Sequence, residues 1–542
     1  MTGLRALRWL RAGALVAGLS ASALVTPAPA SATTPGVLLV GSFHGVKGQY
    51  SSIQAAVDAA RPGDWILIGP GDYHERHDLT SPPAAAVYRD GDYGGVLIST
   101  RDLHLRGMSR SKVVVDGTLP GAPTPCSADP AWQSFGPTAT AGAPPEGRNG
   151  IVVWKADGVS IQNLTVCNFL GGSGSSGNEI WWNGGSDRIG LHGYSGSYLS
   201  ATSTFFGPDG TLATAEQTAA RYGIFSEAAS GGTWNQIYAS NFNDSGAYVG
   251  GCQQVCNVTI DHAWMQYSAL GYSGTNSGGA VVVEHSQFDH NKDGFDTNTQ
   301  FDADPPAPQN GNCPGHKISP ITHTRSCWVF MDNYVHDNNN PNVPEAGSAS
   351  NGPTGTGMTV SGGTNDTVMD NRFVNNGAWG VLFVPYPDEN PPILGQTCSK
   401  TGGVQFPGFG CVFDPKGDAL IHNTFRHDGF FANPSNADFG ELTLSKGEPQ
   451  NCFRANSAPK GSVPADLEKV QDRCGPLTKA ANTDPTLLAQ VLCDTGFGSC
   501  PAGSSYPAFT GVVMHRLPKL ASMPNPCVGV PANRWCRSGR PR

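Results

Sequence analysis

The run Asp289-His290-Asn291-Lys292-Asp293-Gly294-Phe295-Asp296 gathers three carboxylates, an imidazole and an amine. Such a set supports two kinds of chemistry on a glycan. Paired carboxylates hydrolyse a glycosidic bond by inversion when they stand roughly 6.5–9.5 Å apart. Asp293 or Asp296 is then the candidate acid, with Asp302 or Asp304 folded back from the following loop as base. A lyase or C5-epimerase instead needs a neutraliser for a uronate carboxylate and a base at C5. Asp289, Asp293 and Asp296 form a candidate Ca²⁺ site for that purpose, and His290, Lys292, Arg325 or Tyr272 are candidate proton carriers. The competing reading makes Asp293-Gly294 a turn dipeptide without chemistry.

Elements must position these groups, and the surrounding sequence supplies them as a repeat. Phe242, Met265 and Phe288 recur at intervals of 23 residues, each after a β-branched or aromatic pair and before a polar turn. A period of that length, built from short strands, predicts a β-solenoid with one coil per repeat. Tyr248, Tyr272 and Asp296 fall at matching positions at 24-residue spacing. If they face outward, two aromatic platforms and a carboxylate lie in one line, as a sugar chain requires. If alternation turns them inward, the tyrosines are core. Trp379 and Tyr386 are further aromatic candidates for substrate binding.

Each coil divides into three strands and three turns. The tight turn between the second and third strands is expected to carry Asn163, Ser240, His262, His285, Asn333, Asn371 or Asn423 as a hydrogen-bonded ladder. His262 and His285 are thereby read as ladder members and not catalysts. Five insertions flank the first strand: 120–148, 171–221 and 338–356 before it, 299–326 and 385–418 after it. Loops raised over a rigid sheet are where binding residues concentrate, so a walled groove along the first-strand sheet is expected.

The stretch Ser51 to Glu75, SSIQAAVDAARPGDWILIGPGDYHE, opens with the spacing of a capping box, and a helix then a strand follow. It closely resembles the opening cap of right-handed parallel β-helix proteins of the pectate-lyase-like superfamily. That resemblance, over roughly residues 36–431, implies an all-β right-handed parallel β-helix with a helical N-terminal cap and an asparagine ladder. Asn291, Asp293, Gly294 and Asp296 also match part of the polygalacturonase-type signature Asn-Thr-Asp-Gly-x-Asp, with Lys292 in place of Thr. The Asp-Asp pair and Arg-x-Lys that those enzymes carry on later coils have no counterpart here.

Composition bounds the rest. A net charge of -9 and only 14% charged residues disfavour nucleic acid and anionic membrane as partners. Arg5, Arg8 and Arg11, an apolar run from Ala12 to Val25, and Ala30-Ser31-Ala32 read as a secretory signal over 1–32. That run is too short to span a membrane. Fourteen cysteines fit an oxidising compartment. Neighbouring pairs suggest bridges 252–256, 313–327, 398–411, 452–474, 493–500 and 527–536, leaving 126–167. The Cys- and Pro-rich residues 432–542 are expected to be a C-terminal cap or small module. The expectation is a secreted monomer that binds an extracellular, uronate-containing polysaccharide and cleaves or epimerises it; the alternative is a non-catalytic adhesion or structural protein.

Overall fold

The computed structural model describes residues 35–76, 93–136, 145–172, 177–185, 188–207, 219–252, 256–275, 277, 279–298, 328–345, 347–387, 403–406, 410–474, 477–537 and 540–541. The proposed signal, the Cys313–Cys327 pair, Cys398, Asp302, Asp304 and Arg325 lie outside the described residues.

Runs of β-branched residues alternate with tight polar turns, and stacked runs pair only in parallel within the coils. An 11-stranded sheet gathers the first strand of each coil, from Tyr93–Ile98 to Ser462–Val463. The second and third strands join around a bend in a 20-stranded sheet. The chain is thus the parallel β-helix expected. Its core is a continuous column of inward side chains; Tyr272 stacks on Phe295 at 4.2 Å, and Phe295 meets Phe330 at 4.5 Å.

In the coils from Ala229–Asn235 onward, the chain turns between the second and third strands through one left-handed residue. Gln236, His262, His285, Asp332, Asp370 and His422 occupy this position with φ between 48° and 57°. The next residue, not the histidine, enters the ladder. Ala263 N donates to Ser286 Oγ, and Ser286 N, Asn333 N, Asn371 N and Asn423 N donate to Asn333, Asn371, Asn423 and Asn456 in turn. The expectation for His262 and His285 is therefore off by one residue: both stand exposed in the left-handed position. Ser240 is also misplaced, since it ends a third strand, Tyr238–Ser240.

A second ladder runs through the turn that follows the third strand. Phe242 N donates to Ser268 Oγ, and Ser268 N, Asn291 N, Asn338 N and Asn376 N donate to Asn291, Asn338, Asn376 and Asp428. Each of these interior side chains satisfies a backbone N–H of the neighbouring turn.

At the N-terminal end, the helix Ile53–Ala59 packs its Ile53, Ala56 and Val57 into the core. Gln54 lies against the outermost first strand, accepting from Leu97 N at 2.7 Å and donating to Leu97 O at 3.1 Å. A side-chain amide thus takes the place of a neighbouring strand on an otherwise open edge.

Two expectations about extent need correction. Residues 171–221 are not all insertion: Asn178–Asn183 and the long strand Leu191–Thr202 build a complete coil, concealed in sequence by its Gly and Ser content. The coils also continue past residue 431, because Ala437–Glu441, Cys452–Arg454 and Ser462–Val463 pair in register with the strands before them. Glu468, in the short helix Leu467–Val470, then accepts from the ladder's last member, Asn456.

Beyond the helix Pro485–Asp494 the chain returns along the solenoid. Val513 N donates to Asn342 O, His515 N to Asn241, Met523 N to Asn163, and Arg106 donates to Val528 O. Trp535 finally donates to Val46 O, beside Phe43. Among the described residues, five of the expected disulfides are formed: 126–167, 252–256, 452–474, 493–500 and 527–536.

Candidate functional site

Outward positions on the first-strand sheet stack in rows. One row runs Trp181, Phe225, Tyr248, Ser273, Asp296, Thr359 and Leu382 on successive coils. Tyr248 is paired with Ser273, whereas Tyr272 is paired with Ala247. The two tyrosines are one residue out of phase, so the pleat sends Tyr248 outward and Tyr272 into the core. Tyr272 is therefore no sugar platform, and its deep burial raises its phenol above the ordinary range.

Over this sheet lies a cavity of about 760 Å³. Its polar side is made by Arg221, Tyr222, Asp244, Tyr248, Asp296 and their hydroxyl-bearing neighbours Ser273, Thr359 and Ser361. Its apolar side comes from Leu382 and Val384 on the sheet, Tyr386, and Leu488, Val491 and Leu492 of the helix Pro485–Asp494. Residues 349–353 and 385–387, both inside expected insertions, supply walls. The groove thus sits where the insertions indicated, with one wall from the C-terminal region.

Asp296 opens the strand Asp296–Asn298 and accepts from Thr359 Oγ1 at 2.5 Å, Ser361 Oγ at 2.7 Å and Asn298 Nδ2. Burial still holds its carboxyl above the usual range. Thr359 Oγ1 also lies 3.0 Å from Asp293 Oδ2. One hydroxyl has one proton to give, so both contacts are satisfied together only when one of the two carboxyls, Asp293 or Asp296, is protonated and donates to Thr359. Burial, then the nearby Asp296 charge, push Asp293 in that direction. Asp293 is fully buried and sits behind the groove, not in it.

Asp244 carries a second perturbed carboxyl. Burial lifts it to about 6, against the pull of the Arg221 guanidinium and a hydrogen bond with Tyr222. Arg221 lies over the Tyr222 ring, 5.2 Å from its centroid, and Tyr222 and Tyr248 pack at 4.8 Å. Both tyrosine hydroxyls are pushed up by burial, away from service as bases at neutral pH.

The other sequence candidates separate. Asp289 ends the strand Gln287–Asp289, on the far side of the turn from Asp296, and is buried. Its carboxylate accepts from Trp264 Nε1, Gln266 Nε2, Gln287 Nε2 and His290 Nδ1 at 2.6–2.8 Å. The expected Ca²⁺ site is not assembled: among the described residues, Asp289, Asp293 and Asp296 do not bring three ligand atoms together. The chain reverses through His290, at φ 57°, and sends Asp289 and Asp296 to different sheets. His290 stays on Asp289, which raises its basicity. Lys292 is buried in an ion pair with Glu345 at 2.8 Å. Trp379 is fully buried and donates to Ser435 O, so it offers no surface to a ligand, whereas Tyr386 lines the cavity.

Arg221, Tyr222 and Asp244 went unnoticed in the sequence. A signal was present: Arg221 precedes the strand that Tyr222 opens, and Asp244 directly precedes Ser245–Gly250. A charge at the lip of a first strand marks the groove edge.

No family model and no curated protein matches the sequence. Among solved structures, the A-module of a mannuronan C-5 epimerase from Azotobacter vinelandii aligns at 12% identity and TM-score 0.40, over 75% of this chain and 90% of that one. A pectate lyase aligns at 12% identity and TM-score 0.37, over 79% and 78%. A family 28 exopolygalacturonase from Yersinia enterocolitica aligns at 10% identity and TM-score 0.36, over 79% and 77%. At these identities and scores the likeness says nothing of this chain's chemistry.

Proposed function

We propose that this chain is a secreted glycan-directed enzyme that hydrolyses an acidic extracellular polysaccharide in the groove over the first-strand sheet. The observation that carries the reading is the pair Asp244 and Asp296, two carboxyls raised by burial and lining one cavity. A carboxyl that keeps its proton near pH 6 is suited to protonating a leaving-group oxygen. Asp244 takes that role. Asp296, whose charged form has three donors, acts as base or nucleophile, with Asp293 holding the proton behind Thr359. Arg221 offers a cation for a uronate carboxylate, and Tyr248 a ring for a sugar face. The raised tyrosines disfavour β-elimination with a phenolate base. Five described disulfides accord with an oxidising compartment, and no described helix is long and apolar enough to cross a membrane.

The test is a panel of uronate and neutral glycans, followed by reducing-end release and absorbance at 235 nm. Reducing ends without a rise at 235 nm, and a loss of roughly 10²–10⁴-fold in Asp244→Asn, support hydrolysis. A rise at 235 nm would replace it with a lyase. Binding without turnover would leave the groove to an adhesin.

A further inference from the structure

Away from the groove, the bend between the second and third strands carries a cluster that the proposed hydrolysis does not use. His262 and His285 occupy the same left-handed turn position on successive coils, at φ 54° and 48°. Their rings stand 5.4 Å apart, centroid to centroid, and are half exposed. Asp261 ends the strand Val258–Asp261 beside them. Its Oδ1 lies 2.6 Å from His262 Nδ1 and 3.0 Å from His285 Nδ1. Its Oδ2 accepts from Asn235 Nδ2 at 2.7 Å, which fixes the plane of the carboxylate.

We propose that Asp261, His262 and His285 form a binding site for one divalent transition-metal ion of the zinc type. All three ligand atoms already lie within 4.8 Å of one another. A tetrahedral ion with bonds of about 2.0–2.1 Å holds neighbouring ligand atoms about 3.3 Å apart. The two short contacts therefore need to open by about 0.3–0.7 Å, which small rotations of half-exposed rings supply. The backbone need not move, because stacked coils hold the two turns in register: Asp261 pairs with Glu284 directly before His285. With the imidazole protons on Nε2, both Nδ1 lone pairs are free to bind, and Asn235 orients the carboxylate as outer-shell partners of metal ligands do. Two imidazoles and one carboxylate suit Zn²⁺, Ni²⁺ or Cu²⁺; Ca²⁺ needs six to eight oxygens. The exposed fourth position takes water. A bound ion would tie the coil of Val258–Asp261 to that of Val281–Glu284.

The test uses the full chain, stripped with chelator and titrated with Zn²⁺ by calorimetry and with Co²⁺ by visible absorption. One ion per chain, with at least tenfold weaker binding in His262→Asn, His285→Asn and Asp261→Asn, supports the site. Asparagine is chosen for the histidines because it tolerates the left-handed turn. His422→Asn, at the same turn on a later coil, should bind as the parent does. A rise in Tm with Zn²⁺ that the three variants abolish is the second readout. No stoichiometric binding, or binding that all three variants retain, would reduce the cluster to surface hydrogen bonds. Glycan turnover does not enter the test, so it stands or falls apart from the proposed hydrolysis.

Discussion

Asp289 and Asp296 belong to one short run, are both buried, and each accept several hydrogen bonds, yet they are pushed in opposite directions. Burial alone would raise Asp289, but hydrogen bonds from His290, Gln266 and Gln287 and the nearby His336 bring it below the ordinary carboxylate range. Asp296 accepts from Thr359, Asn298 and Ser361, but there burial outweighs the donors and its carboxyl stays raised; its charge in turn pushes up Asp293 and Asp244. The balance between desolvation and the donors that face the charge separates a carboxylate that holds the fold from one available for proton transfer.

The sharpest break of this comparison is a crossed pair of variants. Asp296→Asn should lower turnover about 10²–10⁴-fold while shifting stability by no more than about 1 kcal/mol, because it removes a costly buried charge. Asp289→Ala should do the reverse, costing about 2–4 kcal/mol in denaturant titration by stranding the donors of Trp264, Gln266 and Gln287. A large activity loss in Asp289→Ala at full folding would collapse the distinction.

The two classes should also respond to acid in opposite windows. Asp289 sits below its unfolded value near 3.9, so its stabilisation is complete above that pH and is lost as pH falls through the lower folded value. Asp244 sits at about 6. Between about 4 and 6 the native state binds more protons at Asp244 than the unfolded chain does, so this group makes stability decline as pH rises. Tm profiles of Asp244→Asn should lose that decline, while those of Asp289→Asn should lose the acid-side fall. Turnover that depends on protonated Asp244 should fall as pH rises through about 6.

The smallest effect separates the two tyrosines. Tyr248→Ala should weaken glycan binding by about 1 kcal/mol, read by calorimetry, if its ring meets a sugar face. Tyr272→Phe keeps the stack on Phe295 and should leave binding unchanged.

The winding of the chain was legible because the period of Phe242, Met265 and Phe288 is a direct record of one coil. Phase within the coil was harder. Tyr248 and Tyr272 share the interval of the repeat but differ by one pairing position, and one position on a pleated strand is the difference between groove and core. The histidines show the same slip: His262 and His285 were one residue from the ladder, because a left-handed residue precedes each ladder residue. A five-residue spacing, Ser286 to Asn291, Asn333 to Asn338 and Asn371 to Asn376, records both ladders at once and would have fixed the phase. Asp244 and Arg221 escaped notice because the groove is assembled from different coils, and no local motif spans them.

The returning C-terminal segment changes what kind of object this solenoid is. A linear stack whose units touch only their neighbours frays from its free ends, each unit opening at little expense to the rest. Here the tail that leaves beside the last coils is anchored at Asn342, Asn241, Asn163 and finally Val46. The two ends of the stack are no longer independent: loosening the first coils releases Trp535, and releasing the tail uncovers side-chain amides in the middle. A zipper has become a closed circuit, and its opening is correspondingly more all-or-none.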